Sequence, residues 1–401
     1  MSRQPMLALT PYTAGNYTLR HMKRIDIYTI DIGGGHIAPA EAIRDQFDLM
    51  GYKDLEIRVV NIALEIGAHL MRTIYKTYWN LALHYPPLIN AFYSGADNPF
   101  GIKIFDRLLG ISILPRFMRY LEKAKPDLIV STYFSFTHYL EMFKRLGQVD
   151  ATCIVLNPEP FDAHYIWFSH AFDWSMVFSR KSYDEIVEKG VPARKVKVFP
   201  FPISPRYAKR TESKEELRRK IGIEVEPFTF LLFFGAEGRG PAKKYLRAMF
   251  ARGIDAQVVV VCGKNRKLRA ELEEAAAHHK GRTRIVVRGF ATNLPDYIAA
   301  SDVVVGKSGP NQVFESLLQE RPIVISSYLA NERQTSDWVI ANGLGWLCRT
   351  DEQFAMLAVR LVAHPELIRR CECNIRALGL KSGTPEICEF LHGLLEKRAG
   401  A

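Results

Sequence analysis

The sequence contains no long uninterrupted hydrophobic run, and this absence limits the classes of protein it can encode. No stretch of about 18 uncharged apolar residues occurs among the 401 residues, so no membrane-spanning helix is predicted. The segment 1–22 has neither the apolar core nor the cleavage-like end of a secretory signal. We expect this segment to be a loose extension.

The six cysteines include no Cys-x-x-Cys pair. This spacing argues against a zinc knuckle, so we predict no metal site and no cofactor, and a reduced, cytoplasmic compartment. The net charge of +11 favours anionic partners, such as nucleic acid, anionic lipid or phosphate-bearing ligands. Because no nucleic-acid recognition motif accompanies the charge, we expect no nucleic-acid partner.

Short apolar strands alternate with helical segments along most of the chain, which predicts an α/β protein built from right-handed βαβ units. Two doubly wound halves of similar size follow from this pattern. Three prolines within residues 200–205 predict a stiff connector between them. The predicted divisions are therefore a loose extension at 1–22, a first Rossmann-like domain at 23–203, a second at 204–384 and a C-terminal helix at 385–401.

A glycine turn, Gly33, Gly34, Gly35 and His36, follows the first predicted strand and opens a helix. Glycines leave the backbone amides bare for a ligand, and a histidine that titrates near neutral pH can exchange a proton there. The turn also fits a weak dinucleotide-binding fingerprint. That interpretation needs an acid at the end of the second strand, where Asn61 stands instead. A structural turn with a hydrogen-bonded histidine is the other alternative.

A second glycine loop follows the first strand of the second half and includes Gly235, Gly238 and Arg239. Such a loop at a helix N-terminus suits phosphate binding. It lacks the Gly-Lys-Ser/Thr ending of a Walker loop, and a purely structural turn is at least as good an interpretation.

Another strand–turn–helix segment carries Lys307, Ser308, Gly309 and Pro310. Proline suits the first position of a helix, so the positive helix end and the lysine together predict a diphosphate site. One turn further, Asn311 and Glu315 share a helix face, and the carboxylate is suited to a ribose diol. The alternative is an ordinary capped helix with a solvated glutamate.

Asn331 and Glu332 follow a later strand, at the sheet edge where ligands of such folds bind, and their side chains suit sugar hydroxyls. A plain polar loop is the default alternative. The segment 62–125 is predicted to be largely helical and mixes aromatic with basic residues, among them Trp79 and Arg116. It suits either a surface that enters a lipid headgroup layer or core-facing helices with a solvated basic face.

Taken in order, these motifs resemble the nucleotide-sugar glycosyltransferases that include monogalactosyl- and glucosyl-diacylglycerol synthases. They are more distantly similar to the bacterial enzyme that adds N-acetylglucosamine to the peptidoglycan lipid precursor. The resemblance implies two Rossmann-like domains facing a cleft (the glycosyltransferase type B fold), of which the second binds a UDP-sugar. It covers about residues 23–345.

Site roles also follow from the resemblance. It implies that Gly289 and Phe290 lie against uracil and that Glu315 holds the ribose. It also implies that the diphosphate is surrounded by Arg239 with the Gly235 loop, Lys307, Ser308 and Gly309. It further implies that Asn331 and Glu332 contact the sugar and that His36 faces the acceptor. We predict His36 as the base, and we place Gly33, Gly34, Gly35, Trp79 and Arg116 on the acceptor side.

The expected reaction is inverting transfer of a hexose from a UDP-sugar to a hydroxyl of a membrane lipid, such as diacylglycerol or a glycolipid. We expect the protein to associate peripherally with the inner face of the membrane. Ile37, Pro39 and Asn311 depart from the family pattern and leave the sugar and the acceptor open. The alternatives are a soluble or secondary-metabolite acceptor, an inactive nucleotide-sugar-binding module, and a nonhydrolysing epimerase, for which no acids are recognised in the cleft.

Overall fold

The structure is a computed structural model that describes residues 22–30, 34–68, 73, 77, 85, 91, 93–95, 97–98 and 113–399. Within these residues the strands are β1 Lys23–Thr29, β2 Leu55–Asn61, β3 Leu128–Ser131, β4 Thr152–Leu156, β5 Trp174–Val177, β6 Val196–Val198, β7 Thr229–Phe233, β8 Gln257–Val261, β9 Arg284–Arg288, β10 Val303–Lys307, β11 Ile323–Ser327 and β12 Gly345–Leu347.

The α-helices of the described residues are α1 Gly34–Met50, α2 Ile62–Glu65, α3 at 113–124, α4 Phe134–Arg145, α5 Arg180–Glu188, α6 Lys214–Ile221, α7 Ala242–Ala251, α8 Arg266–His278, α9 Leu294–Ala300, α10 Pro310–Leu318, α11 Arg333–Ala341, α12 Asp351–Ala363, α13 Glu366–Ala377 and α14 Thr384–Ala399. Short 3₁₀ turns lie at Tyr165–Trp167, Ala193–Lys195, Pro205–Tyr207 and Ala330–Glu332. No helix in the described part of the chain combines the length and apolar composition needed to cross a bilayer.

The strands form two parallel six-stranded sheets, one in each half of the chain. Their orders are β2-β1-β3-β4-β5-β6 and β12-β11-β10-β7-β8-β9. In such sheets the ligand site lies at the carboxyl ends of the strands where the order reverses. These points are β1 and β3 in the first sheet and β7 and β10 in the second. The predicted two-domain α/β fold is confirmed.

Apolar runs explain why these segments form buried strands. All five residues of β8, for example, are buried, because helices cover both faces of a parallel sheet. The expected helical segment 62–125 is described only in part. Helix α2 ends at Glu65 and α3 occupies 113–124, whereas most of the intervening residues lie outside the described ranges.

Helices α1 and α3 cover opposite faces of the first sheet. Ile25 and Ile27 of β1 pack with Ile43 of α1 in one core cluster. Tyr28, which points to the other face, packs with Phe117 of α3 in a second cluster. The glycine turn at the start of α1 is thereby held at the carboxyl end of β1.

The last helix, α14, packs on the first domain rather than on the second. Cys388 and Leu391 of α14 belong to the core cluster that contains Ile43, and the His392 ring stacks on Tyr52 at 4.2 Å between centroids. At its start the backbone N–H of Gly383 donates to the carbonyl of Phe201 at 3.0 Å. The chain therefore crosses between the domains twice, and the two crossings are hydrogen-bonded to each other.

Replacement of Gly383 tests how much the fold depends on these paired crossings. A Cβ at this position would lie 1.9 Å from the carbonyl oxygen of Pro200, so Gly383→Ala forces the two crossings apart. We expect the free energy of unfolding to fall by about 1–3 kcal/mol, measured by urea denaturation.

Gly393→Ala, within the helix α14 that follows Gly383, is the control. A Cβ there meets no atom within 4 Å, so alanine should stabilise α14 by about 1 kcal/mol through its higher helix propensity. Equal stability of the two variants would contradict the prediction.

Candidate active site

The glycine turn of the first domain lies against the start of α10 in the second. The side-chain amide of Asn311 donates to the carbonyls of Gly34 and Gly35, at 3.3 and 3.4 Å. Pro39 has no backbone N–H, so the Gly35 carbonyl four residues earlier lacks its helical donor and is available to Asn311. A Cβ on Gly34 or Gly35 would meet no atom within 4 Å, so there is open space beside the turn. Gly33 lies outside the described residues.

His36 is enclosed by aromatic side chains. It is 8% exposed, and its ring centroid lies 5.0 Å from that of Tyr133 and 5.3 Å from that of Trp167. Burial lowers the pKa of the imidazole to about 4, and a hydrogen bond with the Thr132 backbone opposes this effect. The near-neutral pKa expected from the sequence is therefore wrong, because nothing near His36 in the chain indicated this enclosure.

The imidazole of His36 is consequently neutral at pH 7. Its Nδ1 atom is buried and, among the described residues, has no hydrogen-bond partner. A neutral imidazole with an unoccupied nitrogen can accept a proton, which is what a general base has to do.

The turn between β10 and α10 combines a lysine with a helix start. Strand β10 ends at Lys307 and α10 begins at Pro310, the first-turn proline that the sequence predicted. Ser308 is buried and donates its hydroxyl to the carbonyl of Glu332 at 3.2 Å. A Cβ on Gly309 would lie 3.3 Å from Glu332 Oε1. Lys307, the start of α10 and the Glu332 side chain therefore lie next to one another.

Glu332 is a carboxyl group that burial moves toward its neutral form. Burial raises the pKa of this carboxyl, while the charge of Lys307 and a hydrogen bond from the Leu329 backbone oppose the rise. A shift toward the neutral form weakens the repulsion between this carboxyl and an anion at the helix start.

Glu315 lies at the junction of the two domains. It lines a small cavity together with Asn311 of α10, Ala38 of α1 and Arg206 of the connector. Burial raises the pKa of the Glu315 carboxyl to about 8, opposed by the charge of Arg206 and a hydrogen bond with Tyr207. The shared face of Asn311 and Glu315 is present as predicted, but the surroundings are less solvated than those of an exposed helix glutamate.

This pKa gives a prediction about stability. Between pH 4.5 and about 8 the unfolded chain loses the Glu315 proton and the folded chain keeps it, so the free energy of unfolding falls as the pH rises through this window. In Glu315→Gln this fall in the free energy of unfolding is absent, because glutamine does not titrate. The variant should therefore become more stable relative to the parent as the pH rises from 5 to 8, measured by urea unfolding.

Glu366→Gln serves as the control. Glu366 is an exposed acid in the first turn of α13, and its pKa is lowered rather than raised. Its replacement should not give a stability gain that grows with pH. A Glu315→Gln difference that stays constant between pH 5 and 8 would contradict the assignment.

The glycine loop after β7 is shaped by packing against the loop after β8. Gly235 and Gly238 have φ values of +76° and +58°, and a Cβ on Gly238 would lie 2.1 Å from the carbonyl oxygen of Cys262. Gly238 thus has a structural reason to be glycine. The loop still lies at the β7–β10 switch point, and Arg239 is exposed on it, so the predicted phosphate role of both remains a prediction.

Phe290 follows β9 directly and is 60% exposed. A large aromatic ring with this exposure at the carboxyl edge of the sheet has a face available for a planar base. Gly289 lies beside it, and a Cβ there would lie 3.1 Å from Arg269 Nη1. The uracil contact of both residues remains a prediction.

Asn331 contacts the first domain, and its partner is a residue that the sequence analysis missed. Its amide donates to Glu159 Oε1 at 2.6 Å, across 172 positions in the chain. The neighbouring rings of Phe161 and Trp338 stack at 4.9 Å, also between the domains. Glu159 stands between two prolines just after β4, and this position at a strand's carboxyl end was the available signal.

Of the residues predicted on the acceptor side, Trp79 lies outside the described residues and Arg116 lies apart from the glycine turn. Arg116 is exposed on α3, donates to the Gly67 carbonyl at 3.1 Å and lines a cavity of about 580 Å³. His36, Gly34 and Gly35 are not among the residues that line this cavity. Arg116 is therefore not assembled with the proposed base.

Within the described residues, no group of three or more histidine, cysteine, aspartate or glutamate side chains is arranged to hold a metal ion. That the reaction needs no metal and no cofactor remains a prediction.

Two facing Rossmann-like domains, with a glycine turn and histidine on one and a lysine-bearing helix start on the other, form the type B fold that is named after glycosyltransferases. Solved structures share this architecture. MurG of Acinetobacter baumannii superposes with a TM-score of 0.61 at 14% identity, covering 92% of this chain and 99% of that one. Alr3699/HepE of Anabaena in complex with UDP gives a TM-score of 0.55 at 14% identity, covering 94% and 100%.

Sequence comparison gives the family of each domain. Residues 36–203 match the family model of monogalactosyldiacylglycerol (MGDG) synthase, and residues 241–336 match that of the glycosyltransferase family 28 C-terminal domain. MGDG synthase 3, chloroplastic, of Arabidopsis thaliana is 25% identical over 388 residues, covering 94% of this chain and 82% of the relative. The chain is thus an enzyme of the hexosyltransferase class, built from an MGDG-synthase domain and a family 28 C-terminal domain. The resemblance predicted from its motifs is confirmed.

Proposed function

We propose that this enzyme moves a hexose from a UDP-sugar to a hydroxyl of a membrane lipid, such as diacylglycerol or a glycolipid, with inversion at the anomeric carbon. The observation that supports it most is the contact between Asn311 and the glycine turn. This contact brings the lysine-bearing helix start of the second domain to the residue next to His36.

The donor would lie along the carboxyl edge of the second sheet. Phe290 and Gly289 would hold the uracil, and Glu315 the ribose. Lys307, Arg239 and the amides at the start of α10 would hold the diphosphate, because a positive charge and a helix N-terminus both stabilise an anion. Support for UDP comes from Alr3699/HepE, which shares the fold and was solved with UDP.

The proposed chemistry is a single displacement. The lipid hydroxyl oxygen bonds to the anomeric carbon as the bond from that carbon to the UDP oxygen breaks. The hydroxyl proton passes to Nδ1 of His36, and the electron pair leaves with UDP, where Lys307 and the helix start stabilise the new negative charge.

The low pKa of His36 has to rise for this step. Placing the negatively charged diphosphate beside the glycine turn favours the imidazolium form, since an opposite charge nearby raises the pKa of a histidine. Donor binding would therefore make His36 a stronger base at the time the hydroxyl attacks.

Replacing His36 separates the chemical step from donor binding. His36→Ala should lower kcat for transfer to diacylglycerol by about 10²–10⁴-fold, because the general base is lost. The dissociation constant for UDP, measured by calorimetry, should stay unchanged. NMR of the parent enzyme's glycolipid product should give the anomer opposite to that of the UDP-hexose supplied.

His138→Asn is the control for losing a buried histidine. The pKa of His138 is also lowered to about 4 by burial, so its replacement disturbs the first domain in a comparable way. Unchanged turnover in His36→Ala, or an equal loss in both variants, would refute the base assignment.

The lipid acceptor and the membrane surface are supported by the relatives' names and by the cavity beside α3. Cations from three elements line this cavity: Arg24, Arg58, Arg116, Arg119 and Lys123. Arg24 is paired with Asp26, whereas among the described residues the other four form no ion pair. Unpaired cations at a surface attract anionic headgroups. We infer that this face of the first domain lies on an anionic membrane, and the compartment remains a prediction.

Charge reversal tests the membrane surface. The double variant Arg119→Glu, Lys123→Glu should sediment much less than the parent with phosphatidylglycerol vesicles at low salt, because the cavity then repels the headgroups. The control Arg369→Glu, Arg370→Glu changes the net charge equally on α13 of the second domain. If both variants sediment alike, or the parent does not sediment, the proposed surface is wrong.

A further inference from the structure

Glu159 is a first-domain carboxyl that reaches the cleft from the loop after β4. It is 5% exposed, and its Oε1 accepts the Asn331 amide of the second domain at 2.6 Å. Its other oxygen, Oε2, is buried and without a hydrogen-bond partner in the described part of the protein. A buried carboxyl oxygen without a hydrogen-bond partner destabilises the fold, so its presence calls for an explanation.

The loop that carries Glu159 is held rigidly. Asn157 accepts the Glu159 backbone N–H at 3.0 Å and donates to the Asp162 carbonyl at 2.7 Å. Ser182 of α5 donates to the Pro160 carbonyl at 2.8 Å. The side chain is therefore fixed in position rather than free to turn toward water.

Burial raises the pKa of Glu159 well above its ordinary value, and the nearby carboxyls of Glu332 and Asp162 add to this, whereas the Asn331 hydrogen bond opposes it. Burial thus favours the protonated form. With Oε1 occupied by Asn331, Oε2 is the atom left for a further hydrogen bond, and a hydroxyl group can donate to it or, when the carboxyl is protonated, accept from it.

We propose that Glu159 is a sugar-recognition residue, supplied by the acceptor domain, whose Oε2 hydrogen-bonds one hydroxyl of the hexose being transferred. Asn331 and Glu332, the predicted sugar contacts of the donor domain, surround it. The hexose would then be held from both sides of the cleft. This inference rests on the proposed function.

The arrangement favours a hydroxyl over the other donor groups. An apolar group would leave Oε2 unpaired, whereas a hydroxyl can satisfy it with a hydrogen bond. Lys307 and the helix start, which suit the diphosphate, belong to the second domain.

The experiment measures kcat/KM of the parent and two variants with UDP-galactose, UDP-glucose and donors that lack one hydroxyl each. With the preferred UDP-hexose, Glu159→Ala should lower kcat/KM by about tenfold to a hundredfold, while the dissociation constant for UDP is unchanged. Glu159→Gln should keep most of the activity, because its amide places a donor where the protonated Oε2 stood.

The deoxy donors identify the contact. For one of them the parent should already be slow, and Glu159→Ala should cause no further loss, because the hydrogen bond is then missing on both sides. Lys181→Met is the control, since Lys181 hydrogen-bonds Gln334 across the same domain interface without reaching Asn331. Lys181→Met should change kcat/KM by the same factor for every donor.

The outcomes separate the two proposals. A uniform loss over all donors in Glu159→Ala, matching Lys181→Met, means that Glu159 only joins the domains and overturns this inference alone. A weakened UDP affinity in Glu159→Ala likewise overturns it. If the parent transfers hexose from no UDP-sugar, the proposed function and this inference both fail.

Discussion

The paired chain crossings fix how the two sheets face each other. The bond from Gly383 to Phe201 and that from the Ser382 hydroxyl to the Ile203 carbonyl, at 2.7 Å, tie the outgoing connector to the returning chain. From there α14 packs along α1, the helix that begins at the glycine turn. The connector also contacts α1 directly, since the Ser204 hydroxyl donates to Asp45 Oδ2 at 3.1 Å, so the crossing and the turn are joined through this one helix. The contact between Asn311 and the turn depends on this helix staying in place.

The cleft between the domains is rich in titratable groups whose pKa values burial shifts toward the neutral form. Glu159 and Asn331 meet from opposite domains, and Glu315 and Glu332 have raised pKa values for the same reason, burial. His36 shows the corresponding effect for a base, a lowered pKa. Such groups lower the stability of the folded chain, and clusters of them are typical of sites organised for a ligand.

The sequence predicted the parts that depend on neighbours in the chain. Apolar runs such as that of β8 predicted the strands, and Gly309 followed by Pro310 predicted the start of α10. Both predictions succeed because strand burial and helix capping depend on residues that are close in the sequence. The resemblance carried by the ordered motifs also predicted that two domains face each other, and it predicted the family.

Features that depend on distant residues were not predictable in the same way. The enclosure of His36 comes from Tyr133 and Trp167, about a hundred positions away or more, and it changes the pKa on which the role of a base depends. Glu159 was missed because the Pro-Glu-Pro segment alone does not indicate a contact with a ligand or with the other domain. Its hydrogen-bond partner, Asn331, is distant in the sequence. Arg116 was predicted on the acceptor side because it lies in a segment that mixes aromatic with basic residues, and such a segment does not reveal that α1 and α3 cover opposite faces of the sheet.

Division of the donor between two domains has a consequence for the reaction. UDP would be held by the second domain alone, since the groups assigned to its base, ribose and diphosphate all lie there. The hexose would touch both, through Asn331 and Glu332 on one side and Glu159 on the other. Sugar recognition would then be complete only when the domains are in contact, whereas the enclosure of His36 by Tyr133 and Trp167 is built within the first domain alone. Coupling recognition to closure in this way restricts attack on the anomeric carbon to a hydroxyl delivered by the acceptor domain, and so disfavours hydrolysis of the donor.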